Sequence, residues 1–423
     1  MSEETKRGSE QEPGPSKTNM ARRRILSGMR PTGRLHLGNL VGALQNWVAL
    51  QSEYESYHFV ADWHMLTTDY ADTSELQTNI QEMVTDWLAA GLDPNQATFF
   101  IQSRLLEHAE LFLLFSMVTP LGWLERVPSY KEQLENIKDR DLHTYGFLGY
   151  PALQAADILM YKADCVPVGE DQVAHVELTR EIARRFNLAF GELDLGKWGD
   201  HPRDDPMWDA VLSSLGLSGL GPLAAGTLFT TDKVSAIKAA FRKAPLEARA
   251  DYINKGLGDL RGIFREPEAR LTPSPRLPGT DGRKMSKSYN NAIFLSDPPD
   301  VVNKKLAPMI TDPARKRRSD PGNPDICPVF DLHKVFSSPD IIDRVNRECR
   351  TAEIGCLDCK KLVGACINER LAPIRERRKI YEAEPQRVWD ILDAGTEKAR
   401  LTAEATMAEV RAAVRLTRPQ GKA

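Results

Sequence analysis

From residue 24 to about residue 186 the chain alternates short β-rich runs with longer apolar runs at helical spacing, and this alternation limits the folds open to it more than any other feature. Residues 24–28, 57–62, 97–102 and 165–168 read as strands. Residues 74–90 place Leu76, Ile80, Met83, Val84 and Trp87 on one helical face, and Gly91 stops the run. Residues 107–158 read mostly as helix, and a further helix follows the last strand through Phe186. Such alternation packs as an α/β fold, a Rossmann-like parallel sheet whose ligands sit at the carboxyl ends of the strands. From about residue 299 the pattern is all helical, with one or two long helices over 385–416.

Two segments far apart in the chain carry candidate chemistry. After the first strand the chain turns at Met29-Arg30-Pro31-Thr32-Gly33, then enters His36-Leu37-Gly38-Asn39. From there Leu37, Leu40, Val41, Leu44, Trp47 and Val48 follow helical spacing. A strand, a tight turn and a helix start aim backbone N–H groups at phosphate, and Gly38 allows close approach of a nucleotide. The same arrangement also serves as an ordinary capping turn. The second segment, Gly279 to Ser288, offers Lys284 and Lys287 three residues apart, beside Met285, Ser286 and Ser288, on a Gly-rich turn. Two cations on such a turn suit a polyphosphate passing through a charged transition state, or a solvated basic turn.

Together, and in this order, the two segments resemble the signature pair of class I aminoacyl-tRNA synthetases. Further segments narrow the resemblance to the tryptophanyl-tRNA synthetases: Ser27 to Gly33, Leu124 to Glu132, Tyr150 to Leu159 and Val166 to Gln172. The likeness runs from about Arg22 to the end of the chain, apart from one long insertion. It implies a ligase that activates L-tryptophan with ATP and Mg²⁺ to tryptophanyl-adenylate and pyrophosphate, then transfers tryptophan to tRNA(Trp). It also implies a homodimer. The carboxylate nucleophile is already ionised at neutral pH, so no general base is required. Catalysis then rests on positioning and charge stabilisation.

The resemblance assigns residues as well. Lys284 and Lys287 would bind the leaving phosphates, with Lys131 reaching the same region. Arg30, Pro31, Thr32, His36, Gly38 and Asn39 would surround the nucleotide, together with Met285, Ser286 and Ser288. Gly169, Glu170 and Asp171 would hold its ribose. Asp157 would accept the indole N–H, Tyr150 and Gln172 would hold the α-amino group, and His64 and Gly28 would close the tryptophan pocket. Asn39 stands where the usual motif has a second histidine, and Gln154 replaces a methionine of some relatives.

Four of the six cysteines, Cys327, Cys349, Cys356 and Cys359, form C-x21-C-x6-C-x2-C in the helical region. Without secretory features such a set reads as metal-binding. A subset of bacterial tryptophanyl-tRNA synthetases has a similar pattern, with a first gap one residue longer, and carries a [4Fe–4S] cluster. The resemblance therefore implies iron–sulfur, with structural Zn²⁺ as the alternative. The formal net charge is only −3, so RNA contact would fall to local basic clusters, of which Arg315 to Arg318 is the clearest. No apolar run approaches membrane-spanning length. Residues 1–21 lack the apolar core of a signal peptide and read as a disordered tail, so a cytoplasmic location is expected. The expected organisation is a catalytic domain at 22–190, an atypical insertion at 191–265, a lysine-loop region at 266–298 and a helical anticodon-binding domain at 299–423.

Overall fold

The structure is a computed structural model. It describes residues 22–128, 130–131, 141–195, 213, 231–256, 258–272 and 276–417, without the side chains of Asp171 and residues 231–234. The expected N-terminal tail lies outside these residues, as do Trp198, Trp208 and residues 215–223 of the insertion.

Five parallel strands form the central sheet: β1 (Arg24–Met29), β2 (Glu55–Val60), β3 (Ala97–Ile101), β4 (Cys165–Val168) and, far along the chain, Glu268–Leu271. Their spatial order is β3-β2-β1-β4 and then Glu268–Leu271. Chain progression therefore reverses between β1 and β4, where ligands of such sheets bind. β1 pairs with β2 along its whole length, from Arg24–Glu55 to Met29–Val60. It meets β4 at one register pair, Ile25–Cys165. Beyond that pair lies Pro167, which has no N–H to donate. The two carboxyl ends separate and leave a crevice.

Helices cover both faces. One core joins the helical run from Leu37, the Leu76–Ala90 helix and the C-terminal helices through Trp47, Trp87, Ile293, Leu332, Val363 and Leu392. The other holds Leu26, Phe100, Phe115, Ile158 and Phe186. The last long helix, Pro385–Ala413, contributes Ala399, Ala403, Met407 and Val410 to this second core. It lies directly on edge strand β3. A Cβ at Gly395 would fall 1.8 Å from the Phe99 carbonyl oxygen, so only glycine allows this contact. Covering an edge strand in this way also removes a site for stray strand pairing. The helical C-terminal region is thus packed on the sheet.

Two further short strands, β5 (Glu192–Asp194) and β6 (Asp259–Arg261), pair antiparallel. Glu268–Leu271 is β7 in this numbering. β5 and the helices Thr231–Lys243 and Leu246–Asn254 enclose a small separate core of Leu193, Ile237, Phe241 and Tyr252. The described part of the insertion therefore has its own packing.

Candidate active site

The crevice between β1 and β4 holds a cavity of about 380 Å³. Its wall includes Gly28, His64, Tyr150, Asp157 and Gln172, five residues from four separate elements. Arg30, Gln154 and Gly169 also line it. Gly28 is required sterically, because a Cβ there would lie 2.4 Å from the Phe59 ring. The helix that starts at Leu37 widens to π geometry over Leu40–Leu44, and the small residues Gly42 and Ala43 of that turn face the cavity. Single π turns of this kind recur at functional sites.

At the base of the cavity Asp157 is fully buried. His64 Nε2 lies 2.6 Å from its Oδ2 and His108 Nδ1 lies 2.6 Å from its Oδ1, while Gln102 Nε2 donates to Oδ1 at 2.8 Å. Tyr161 extends the chain through its hydroxyl, 2.8 Å from His108 Nε2. Burial acts to raise the Asp157 pKa, but the two histidines outweigh it and hold the carboxyl below its ordinary value. Asp157 is thus a buried carboxylate on the cavity wall, held by a shell of polar side chains. Tyr150 packs edge-on against His64, with ring centroids 4.5 Å apart.

The side expected to take the nucleotide is assembled from the two distant segments. His36 caps the helix at Leu37: its Nδ1 accepts from Gly38 N–H at 3.1 Å, and its own N–H donates to Asn39 Oδ1 at 3.0 Å. This reciprocal box gives Asn39 a structural role where the usual motif has histidine. Burial, then Lys287 and Lys284, push the His36 pKa down to about 4. His36 is therefore neutral near pH 7, and because Nδ1 accepts, Nε2 carries the proton. Across from it, Leu37 N–H donates to Ile293 O at 3.0 Å and Leu295 N–H to Leu35 O at 2.9 Å. These backbone bonds join the segments over more than 250 residues of sequence. Lys287 Nζ completes the closure, donating to Thr32 O at 2.7 Å and lying 3.1 Å from Thr32 Oγ1. Burial and nearby Arg34 push the Lys287 pKa down to about 8 against an opposing pull from Asp86.

The remaining expected residues divide clearly. Lys284 and Ser288 are exposed beside the turn, Ser286 is half-buried, and Pro31 is buried beneath it. The Met285 side chain instead enters the core at 4% exposure, so it anchors the loop and leaves its backbone to any ligand. Lys131 and Glu170 are exposed, and the Asp171 side chain lies outside the described residues. Among the described residues no three His, Cys, Asp or Glu side chains are gathered so as to hold a metal ion. Cys327, Cys349, Cys356 and Cys359, the expected ligand set, are free thiols.

Sequence reasoning missed several residues. Gln102 and His108 reach Asp157 from another part of the chain, and Tyr161, at the end of the Asp157 helix, holds His108 from behind. Asn291 pins the lysine loop: its Oδ1 accepts from Ser286 N–H at 2.7 Å, and its Nδ2 donates to Asp281 at 2.7 Å and to Lys284 O at 3.2 Å. The available signal was the asparagine pair Asn290-Asn291 close after the lysine motif.

A model of the family described as tRNA synthetases class I (W and Y) matches residues 18–195 and 243–372. A tryptophan–tRNA ligase of Ralstonia nicotianae is 48% identical over 406 residues, covering 93% of this chain and 98% of its own. The chain belongs to the tryptophan–tRNA ligases. Another member, from Thermotoga maritima, is 46% identical over 395 residues, covering 93% of this chain and 99% of its own. A crystal structure of the Campylobacter jejuni tryptophanyl-tRNA synthetase, complexed with ADP and tryptophan, superposes with a TM-score of 0.67 at 26% identity. It covers 93% of this chain and 99% of that one. The gap in the family match, residues 196–242, falls within the insertion that the sequence sets apart. The parallel sheet and helical C-terminal region of this synthetase are those of its class.

Proposed function

We propose that this synthetase activates L-tryptophan in the cavity between β1 and β4 and charges tRNA(Trp) with it. The observation that carries the residue assignment is the convergence of Gly28, His64, Tyr150, Asp157 and Gln172 on one cavity next to the Lys287–Thr32 contact. In the first step a tryptophan carboxylate oxygen attacks the α-phosphorus of ATP. A new P–O bond forms, the bond to the bridging oxygen breaks, and pyrophosphate leaves with the electron pair. Asp157 accepts the indole N–H, while Tyr150 and Gln172 hold the α-amino group. His36, through its Nε2 proton, and the Leu37 helix start meet the nucleotide. Lys284 and Lys287 stabilise the charge that grows on the leaving phosphates, and Mg²⁺ enters with ATP. In the second step a terminal ribose hydroxyl of tRNA attacks the adenylate carbonyl and releases AMP.

A homodimer is supported by the exposed, regularly spaced Leu106, Leu113, Met117 and Leu121 along and beside the Glu107–Val118 helix. For the cysteine set, the support is proximity: burial pushes the Cys359 thiol up to about 12, and Cys327, Cys349 and Cys356 lie near enough to add to the effect, so a bound metal would have to displace that proton. Arg315 Nη1 lies 3.7 Å from the Cys349 sulfur. Cys327, Cys349, Cys356 and Cys359 would hold a [4Fe–4S] cluster, or zinc in its place, and the group would cross-link the helical region. Iron, sulfide and zinc analysis of anaerobically purified protein separates these, and absence of all three removes the proposal.

The deciding assay is ATP–pyrophosphate exchange with single amino acids. Exchange should require tryptophan, and equal exchange with tyrosine would refute the substrate assignment.

A further inference from the structure

Both nucleotide-facing segments are fastened to one C-terminal helix, Cys356–Ala383. The first connection passes through Asp86 on the Leu76–Ala90 helix. Asp86 is fully buried. Its Oδ2 accepts the Leu35 N–H at 2.6 Å, one residue before His36. Its Oδ1 accepts from the guanidinium of Arg378, on the Cys356–Ala383 helix. Arg378 is also buried, and it binds Glu82 on the Asp86 helix and Glu382 one turn along its own, the latter at 2.7 Å. Arg377 beside it donates to Ala89 O at 2.6 Å.

The second connection passes through the Pro299–Leu306 helix. Lys360 Nζ donates to Ala307 O at 2.8 Å. Gly364 lets the two helices touch, because a Cβ there would lie 2.5 Å from Asn303 Oδ1. Lys305 then binds Asp297 at 2.6 Å and Ala292 O at 3.0 Å, within the strand-like segment after the lysine loop. Leu35 is where the connections meet, since its N–H goes to Asp86 and its carbonyl accepts from Leu295.

We propose that Asp86, held by Arg378, is a positioning residue for adenylate formation: it fixes the peptide before His36 so that His36 and Lys287 meet ATP in one register. The inference rests on the nucleotide-site reading above. No other side chain can replace Asp86 simply. Both of its oxygens accept donors, so an asparagine turns one acceptor into a donor facing an N–H or a guanidinium. A carboxylate is the only group of that size that satisfies both. The leucine amide then shifts, and a small displacement of groups poised at a transferring phosphoryl lowers the rate more than it lowers substrate affinity.

The test is tryptophan-dependent ATP–pyrophosphate exchange on the full chain, comparing wild type with Asp86→Asn, Arg378→Met, their double variant and Arg378→Lys. Exchange by the wild type is the baseline, and a Lys287→Ala variant with wild-type kcat would remove the nucleotide-site reading rather than this one. Each single variant should lose about ten- to a hundredfold in kcat, with KM for tryptophan within about twofold of wild type. The double variant should be no slower than the worse single, because the two residues act as one unit. Arg378→Lys, which keeps the charge with fewer donors, should recover part of the loss. If Arg378→Met does not fold, Arg378→Lys carries the test: a lowered kcat at unchanged tryptophan KM supports the proposal, and wild-type kcat overturns it. Variants that are less stable to heat but have wild-type kcat and KM per folded molecule would make the pair merely structural.

Discussion

In the proposed reaction Asp157 serves the tryptophan and Lys287 the ATP, and burial acts on the two side chains with different results. Asp157 stays ionised because His64 and His108 outweigh its burial. Asp157→Asn keeps the shape of the side chain but leaves it one acceptor oxygen for several donors. It should weaken tryptophan binding by about 2–3 kcal/mol, roughly 30- to 150-fold, measured by calorimetry without ATP. The KM for ATP should be nearly unchanged. Lys287 is paired with no carboxylate among the described residues, and burial lowers its pKa to about 8. In the free enzyme its charge is lost as pH rises through that value, so kcat/KM for ATP should decline above about pH 8. The same shift has a stability consequence of opposite sense. Between the folded value of about 8 and the ordinary 10.5, the unfolded chain binds more proton at this site, so this site's contribution to stability rises with pH across that window. A pH–rate profile of wild type against Lys287→Arg separates this limb from others. A decline at the same pH in the arginine variant would assign it elsewhere.

At the scale of elements, the lysine loop shows how a polar side chain can hold an irregular segment in place. Asn291 is buried and satisfies one backbone N–H, one backbone carbonyl and one carboxylate of the loop. Asn291→Ala leaves the Ser286 N–H and the Lys284 carbonyl without these partners. The expected cost is about 1–3 kcal/mol of local stability, seen as faster amide exchange across residues 279–288. The kcat of exchange should fall, and tryptophan affinity should hold. Unchanged exchange across the loop would show that Met285 packing alone fixes it. On edge strand β3, Gly395→Ala places a methyl group on the Phe99 carbonyl. It should cost at least about 3 kcal/mol and lower the melting temperature, because backbone cannot move aside as a side chain can.

For the whole molecule, two cores that share one sheet tie the C-terminal helices to the site. Leu35 lies in the same hydrophobic cluster as Val363, Leu371 and Leu392, so the helical region cannot shift without disturbing the nucleotide turn. The exposed stripe Leu106, Leu113, Met117 and Leu121 runs along and beside the helix that carries His108. Association through it would bring a second subunit next to the shell around Asp157. Leu113→Glu with Met117→Glu should convert a dimer to a monomer in sedimentation analysis. A dimer that survives both charges would place the interface on another face.

The alternation of β-rich and helical runs settled the parallel sheet, because each period can bury its apolar face in only one arrangement. The two signature segments were likewise legible from their residue types, and the Asp157 helix and the chain ends of β1 and β4 through the family resemblance those segments open. Sequence gave no view of what holds them together. Gln102, His108, Tyr161, Asp86 and Arg378 are ordinary residues on ordinary helices, and their meaning comes from contacts spanning tens to hundreds of residues. The role of Asn39 in a capping box, the turning of Met285 into the core and the packing of Gly395 on β3 also depend on distances of a few ångströms. Local pattern fixes which face is buried, whereas only the packed chain decides which polar groups meet once buried.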